Sequence, residues 1–562
     1  MVIDNYYIAD QFSLLSKLMD IHGENSFKSK TYSIAAFNIE KLTAQLSEVP
    51  AEKIFSMKGI GDSVGKKIIE ILNEGHLKAL EDYVAKTPPG LIEMLSIKGL
   101  GPKKIATIWK EMEIETIGEL LYACHENRLA RFKGFGEKTQ QNVEDSINFY
   151  LKSQGRHLYA EIESYALTVN SVITKAFPGH QLQITGTFRI QSEIIERLEW
   201  ITTASVTELD EYFIKNNYNV DDSLATSATY KGPENVPLQF YCVPPEQFHS
   251  KLFETSCSDE FLEAWNKNKP GQKNGHNSEE QLFDAVNLPF IPPFIREKAS
   301  IIERAGKKDF SSIVQPTDIK GIIHSHSTWS DGSHTIEAMA RGCIDKVYEY
   351  LVISDHSKSA FYAKGLFEEQ VRAQHQQIDE LNAKLAPFKI FKSIESDILN
   401  DGSLDYSDKV LSTFDLVIAS VHSNLKMSEE KAMLRLLNAV SNPYTTILGH
   451  MTGRLLLSRP GYPVNYEQVI DACVKHHVVI EINANPRRLD MDWRWIDYGL
   501  EKGAFFSIDP DAHSIEEFAV CRYGVLAAQK GGLPRERNLS SFALGEFEKF
   551  LESRRILRSL ID

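Results

Sequence analysis

Apolar residues recur at helical spacing through roughly the first 150 positions, as in FKSKTYSIAAFNIEKLTAQL and GKKIIEILNEGHLKALEDYVAK, with glycine-centred turns between them. That pattern predicts an all-helical N-terminal part. Between about 156 and 250 it changes to alternating, β-branched stretches, HQLQITGTFRI, LEWITTASV and VPLQFYCV, interleaved with the helical SEIIERL and TELDEYFIK, which predicts a small α+β domain. The polar KNKPGQKNGHNSEEQ and the linker-like RAGKKDFSSIVQPTDIKG place a major boundary near 315. Beyond it, seven apolar, strand-like runs each end on polar, ligand-type residues: KGIIHSH, YLVISDHS, FKIFKSIESDI, FDLVIASVHS, YTTILGHMT, VVIEINANP and AFFSIDPDAHS. Helical stretches such as LFEEQVRAQHQQIDELNAKLA and NYEQVIDACVKHH separate them, the alternation of a β/α barrel, in which the C-terminal strand ends converge on one face.

Composition narrows the class. At 562 residues the chain calls for roughly three to five domains. No apolar run approaches the about 20 residues of a membrane span, and the start, MVIDNYYIADQF, lacks a secretory pattern. The six cysteines (Cys124, Cys242, Cys257, Cys343, Cys473 and Cys521) show no C-x-x-C pairing, so a reducing cytoplasm is the expected location, with the cysteines mostly buried thiols. A net charge of -15 argues against nucleic-acid binding over the whole surface while leaving room for a locally basic face.

The barrel strand ends gather His324, His326, Asp331, His356, Glu395, His422, His450, Asp511 and His513. Nine ligands are too many for one ion. Imidazoles with bridging carboxylates suit zinc, manganese or iron, and this number fills two or three sites with positions left for water and substrate. Such ions activate water near neutral pH and neutralise charge on a phosphoryl group. His334, His375, His476 and His477 fall outside the repeated placement and are expected to be ordinary surface or core histidines.

HSHSTWSDG, SDHS, SIESDIL, SVHS, GHMTGR and DAHS together resemble the polymerase and histidinol phosphatase (PHP) metal-hydrolase domain. GHMTGRLLLSRPGYPVNYEQVIDA with EINANPRRLDMDWR narrows the resemblance to the PHP domain of bacterial family X DNA polymerases, over 319 to about 550. It implies a distorted seven-stranded barrel with metal-dependent 3′-5′ exonuclease or related phosphoesterase activity. His324, His326, Asp331, Glu395, Asp511 and His513 would then carry the catalysis, with Arg454 holding substrate phosphate through its planar fork. Ile322 departs from the pattern, where the family usually has an acidic residue, so metal affinity is expected to be altered and ligation to survive.

Three short repeats mark the helical part: MKGIGDSVGKKI, IKGLGPKKIATI and FKGFGEKTQQNV. Each G-x-G turn lets backbone approach a phosphate and opens a helix whose first N–H groups can bond it. They resemble the helix-hairpin-helix DNA-binding motif, through Gly59, Gly61 and Lys66, through Gly99, Gly101, Lys103 and Lys104, and through Gly134, Gly136 and Lys138. With FYCVPPEQFHSKLF and EEQLFDAVNLPFIPPFIRE, which look like palm end and thumb, the family X resemblance extends through nearly the whole chain.

The expected organisation is an N-terminal DNA-binding domain (1–88), fingers (89–155), a nucleotidyltransferase-like α+β palm (156–250), a thumb (251–300), a linker (301–318) and a distorted (β/α)7 PHP barrel (319–562). The palm departs from the family. Family X palms carry a D-x-D after a G-S-x-R-R segment and a third aspartate on a following strand; here GTFRIQSEIIERLEWI puts Arg197 and Glu199 at the first two positions, and Gln239 falls at the third. Glu193, Glu196, Asp210 and Glu211 are nearby carboxylates that an alternative alignment would bring in. The segment that carries a Gly-Ser near the nucleotide sugar reads FETSCSDE. A cation in place of a magnesium ligand repels the ion. The expectation is a monomeric DNA-binding phosphoesterase that processes gapped, primer-template or 3′-blocked ends, uses two or three manganese, zinc or iron ions, and has an inactive polymerase site. Three rivals stand beside it: an active polymerase/exonuclease, a phosphatase for a small phosphorylated metabolite, and a non-catalytic repair scaffold.

Overall fold

The computed structural model describes residues 3–40, 42, 44–57, 60–97, 99–152, 155–232, 236–268, 275–306 and 310–559. The chain divides into two compact units, Met1–Tyr150 and Leu151–Asp562.

The first unit is helical. Its longest elements are α1 (Asn5–His22), α2 (Ser26–Glu40), α3 (Asp62–Glu74), α4 (Pro102–Met112) and α5 (Glu137–Lys152). Helix α3 buries Val64, Ile68 and Ile71 and α4 buries Ile105, Ile108 and Met112, so one apolar stripe of each faces inward. The three glycine repeats fold alike. Met57 O accepts from Ile60 N at 3.1 Å, Ile97 O from Leu100 N at 3.1 Å and Phe132 O from Phe135 N at 3.0 Å.

The second unit joins an α+β part to a barrel. Strands β1 (Leu182–Thr185), β2 (Leu198–Thr202), β3 (Asn219–Leu224), β4 (Ser227–Lys231) and β5 (Pro237–Cys242) form one sheet in the order β1-β2-β5-β4-β3. Trp200, Phe213, Tyr230 and Phe240 are among the residues that pack beneath it. HQLQITGTFRI is only partly a strand: the chain turns into a short helix at Gly186–Arg189, and Gly186 adopts φ 63°. A Cβ there would lie 1.8 Å from the Glu199 carboxylate, so this turn requires glycine.

The barrel consists of seven parallel strands in sequence order: β6 (Gly321–Ser325), β7 (Tyr350–Ile353), β8 (Lys389–Asp397), β9 (Leu416–Ser420), β10 (Ile447–Leu448), β11 (Val479–Asn483) and β12 (Phe506–Asp509). β6 through β12 are almost uniformly buried, as strands covered on both faces must be. His326 N donates to Ala512 O at 2.8 Å, which brings the first strand's exit beside the last and nearly closes the barrel. A C-terminal helix (Leu544–Ser559) packs Phe547 and Leu551 against Tyr350, Leu416, Ile447 and Val479 at the strand starts. The opposite, C-terminal end is left for the histidines. Among the described residues, no helix is long and apolar enough to cross a membrane.

Candidate metal centre

Each strand delivers polar side chains to that end. His324 lies on β6 and Glu395 on β8; His356, His422 and His450 follow β7, β9 and β10 at once; Asp511 and His513 follow β12. His326 and Asp331 sit on the loop leaving β6, shaped by the buried Asp355, which accepts from Ser327 N at 2.8 Å, Ser330 Oγ at 2.5 Å and Gln374 Nε2 at 2.6 Å. His324 and Asp511 are non-glycine residues in the left-handed region, φ 59° and 53°. Strain of this kind is concentrated at functional sites.

Glu395 is the hub. Its carboxylate lies 2.9 Å from His356 Nδ1, 2.9 Å from His450 Nε2, 3.1 Å from His422 Nε2, 3.2 Å from His324 Nε2 and 3.7 Å from His326 Nε2. Around it lie three groups with ligand spacing: His326, Asp331, His356 and His513; His324, His326 and Asp511; and His356, Glu395 and His422. The structure thus brings together all nine expected ligands, eight within these groups and His450 through Glu395.

The donor set fits divalent cations. His326 Nδ1 and His450 Nδ1 are buried without a hydrogen-bond partner, and His324 Nε2 and Glu395 Oε2 lie close to neighbouring side chains without hydrogen-bond geometry. Buried lone pairs left this way are costly, and a coordinated cation satisfies several at once. The electrostatics agree. Burial disfavours a charged His324, but the carboxylates of Glu481, Asp511 and Glu395 outweigh it and hold its pKa well above the ordinary value. His422 is likewise opposed by burial yet pushed up to about 10 by Glu395 and Asp397. Burial opposes ionised Glu395 and Asp511, but the neighbouring imidazoles keep both well below the usual carboxylate range. Such a field calls for positive charge.

Sequence reasoning missed the supports of these ligands. Glu481, buried on β11, hydrogen bonds with His324 Nδ1 and accepts from His450 N at 2.5 Å. Asp397 pairs with His422 Nδ1. Carboxylates holding the far nitrogen of a ligating imidazole fix its tautomer and orientation. Their signal was present in SIESDI and VVIEINANP, two of the runs that end on ligand-type residues.

Arg454, expected to hold phosphate, is otherwise engaged. Its guanidinium donates to Glu193 at 2.5 Å, to Asp492 at 2.9 Å and to the carbonyls of Arg488 and Leu489, and is nearly buried. It ties the barrel to the α+β part. Arg487–Glu161 at 2.9 Å and Arg522–Glu163 do the same. Ile322 packs in an apolar cluster with Ile336, Met339 and Leu351, and His324 still reaches the centre.

A model described as "Helix-hairpin-helix domain" matches residues 3–77, and one described as "SAM-like Helix-hairpin-helix tandem" matches 91–145. A DNA polymerase/3′-5′ exonuclease PolX of Bacillus subtilis is 32% identical over 563 residues, spanning 95% of this chain and 97% of the relative. The chain belongs to the family X DNA polymerases. Probable phosphatases of Caldanaerobacter subterraneus and Aliivibrio fischeri, each 28% identical, match 28% and 29% of the chain and 60% and 66% of their own lengths, in its C-terminal part. In this family X chain the barrel accordingly has PHP architecture.

The remaining expected residues fall in the family X chain's other parts. Gly61, Gly101 and Gly136 are exposed immediately before α3, α4 and α5, and Gly99 and Gly134 adopt φ 92° and 93°. A Cβ at any of these five would meet nothing within 4 Å, so the backbone is open to close approach. Lys66, Lys103 and Lys138 are exposed beside these turns, while Lys104 Nζ donates back to Gly99 O at 3.0 Å. Gly59 lies outside the described residues. In the palm, Glu199 on β2 and Gln239 on β5 are register partners, and Arg197 Nη1 donates to Gln239 Oε1 at 3.0 Å. Glu199 accepts from Tyr241 OH at 2.9 Å and Thr187 N at 3.3 Å.

Proposed function

We propose that this family X chain is a metal-dependent phosphodiesterase that shortens or cleans DNA 3′ ends, and that its palm holds DNA without extending it. The Glu395 hub carries the first half: one carboxylate within reach of five imidazoles, with buried lone pairs unpaired around it. Divalent ions held there, manganese, zinc or iron, supply a nucleophile from water and neutralise phosphoryl charge. The chain's own residues perform the rest. Glu395, Asp331 and Asp511 provide anionic ligands, the six histidines neutral ones, and Glu481 and Asp397 fix ring orientation. The open helix-hairpin-helix turns bind phosphate backbone without reading sequence, which favours a DNA end over a small metabolite as substrate. The name of the Bacillus subtilis relative points to the same exonuclease chemistry.

The palm half rests on the Arg197–Gln239 hydrogen bond. A cation and an amide stand where hard oxygen ligands are needed, and the remaining acid, Glu199, is engaged by Tyr241 and Thr187. Of the neighbouring carboxylates, Glu193 is held by Arg454 and Asp210 by Tyr230 OH, Glu196 lies 3.3 Å from Arg156 at the surface, and Glu211 is exposed. Of the two arginines of G-S-x-R-R, one position is Ile190, and Arg189 turns to Ser256 and Glu279.

The test is release of labelled mononucleotide from a 3′-labelled oligonucleotide by the full-length chain with Mn²⁺. The reading predicts release that a chelator and the double substitution His324→Ala/His326→Ala abolish. Steady turnover of a small phosphomonoester, uninhibited by added DNA and without release from the oligonucleotide, would instead establish the metabolite phosphatase.

A further inference from the structure

Between His356 and Leu366 the chain forms a loop at the rim of the metal centre. It is tightly fixed. Leu366 N donates to His356 O at 2.9 Å, Gly365 N to Ala360 O at 3.0 Å, and Ser359 N and Oγ both bond Asp405 at 2.6 Å. The loop's ends approach so closely that a Cβ on Gly365 would stand 1.8 Å from Ser357 O. Ala360, Ala363 and Leu366 are fully buried. Yet the same loop leaves Phe361 80% exposed. The loop therefore holds the Phe361 ring out on a fixed backbone.

The ring's position gives it a ligand. Phe361 meets Tyr362 edge-on at 5.9 Å between centroids, and Tyr362 meets the ring of His356 at 6.3 Å, so an aromatic path runs from solvent to a member of the metal-spaced groups. The same loop carries Lys364, which is exposed, and the half-buried Lys358, whose Nζ lies 5.2 Å from the Tyr406 ring centroid. An exposed aromatic ring on a loop that also carries lysines is the chemistry that takes unpaired bases, because every base has a π-face and its backbone is anionic.

We propose that Phe361 is a substrate-binding residue on which a base at the DNA 3′ end stacks while the adjoining phosphodiester lies at the metal centre. This rests on the reading of the chain as a DNA 3′-end phosphodiesterase and adds how an end is held unpaired for hydrolysis. The residue acts by stacking, so its effect must vanish on a substrate without rings.

The experiment compares the parent, Phe361→Ala and Phe361→Trp, all full length with Mn²⁺, on a recessed 3′ end of duplex DNA and on the ring-free small diester sn-glycero-3-phosphoethanolamine, with metal content measured for each. Phe361→Ala should lose about 5- to 150-fold in kcat/KM on DNA, the worth of one base–aromatic stack, while its rate on the small diester and its metal content stay at the parental level. Phe361→Trp should restore the DNA rate. Parental DNA hydrolysis by Phe361→Ala, or an equal loss on both substrates, would overturn the assignment. A parent that hydrolyses the small diester and leaves DNA intact would refute the 3′-end reading itself, and the stacking role with it.

Discussion

Replacing Glu481 by glutamine tests whether the carboxylate behind His324 helps build the metal centre. The side chain is fully buried and serves the His324 ring and the His450 backbone N–H at once, with Asn483 Nδ2 a more distant donor at 3.5 Å. Glutamine keeps the shape but has one acceptor oxygen and an NH₂, so one of the two partners must face a donor. A buried polar group left unsatisfied costs about 1–3 kcal/mol, and loss of a carboxylate behind a ligating imidazole lowers metal affinity or activity about 10- to 100-fold. Both scales point to a clear loss with the nine ligands intact. The assay is equilibrium dialysis of the full-length chain against buffered free Mn²⁺, with bound metal counted by atomic spectrometry and folding checked by circular dichroism. Glu481→Gln should need at least about tenfold more free metal for half-loading. Parental affinity in a folded variant would refute the view that His324 is held by Glu481.

Other consequences follow from the same geometry. Arg454→Met leaves the nearly buried Glu193 without its closest cation and should destabilise the second unit by about 3–5 kcal/mol in urea unfolding; a change near zero would show that the pair contributes little. In the metal-free chain His422, raised to about 10, holds its proton at pH 8, so loading Mn²⁺ at that pH should release protons to an indicator dye, and no release would contradict the assigned field. The sign carries over to stability: that raised pKa contributes fully below the ordinary 6.5 and is lost as pH climbs through about 10, so the metal-free chain should unfold at lower urea concentration at pH 10 than at pH 6. Replacing Lys66, Lys103 and Lys138 together by glutamine should weaken DNA binding uniformly across sequences and lower the slope of log K against log salt by about 0.9 for each lost phosphate contact. An unchanged slope would remove these lysines from the interface.

Much of the barrel was legible because its strands announce themselves twice, as short apolar runs and by the ligand-type residue at each end. The glycine repeats were legible for a similar reason, since the positive φ of Gly99 and Gly134 needs the residue that the sequence supplies. Pairing was harder to read. Nothing in GHMTGR says that Arg454 will meet Glu193, 261 positions away, because a guanidinium fork suits a carboxylate as well as a phosphate. Glu481 was hidden differently: on a buried strand a carboxylate can be ligand or support, and only its hydrogen bonds to His324 and His450 in the folded barrel distinguish them. The Gly186 turn followed a β-patterned run, and its need for glycine arises because Glu199, distant in sequence, fills the space a side chain would take.

The central claim, hydrolysis in the barrel without extension in the palm, is tested most directly on one gel. A 5′-labelled primer on a gapped template is incubated with the full-length chain and Mn²⁺, with and without deoxynucleotides, beside the His324→Ala/His326→Ala variant. The account predicts a primer that shortens in both conditions, never lengthens, and stays intact with the variant. A primer that lengthens when nucleotides are added would contradict the placement of Arg197, Glu199 and Gln239 and make the palm a working polymerase.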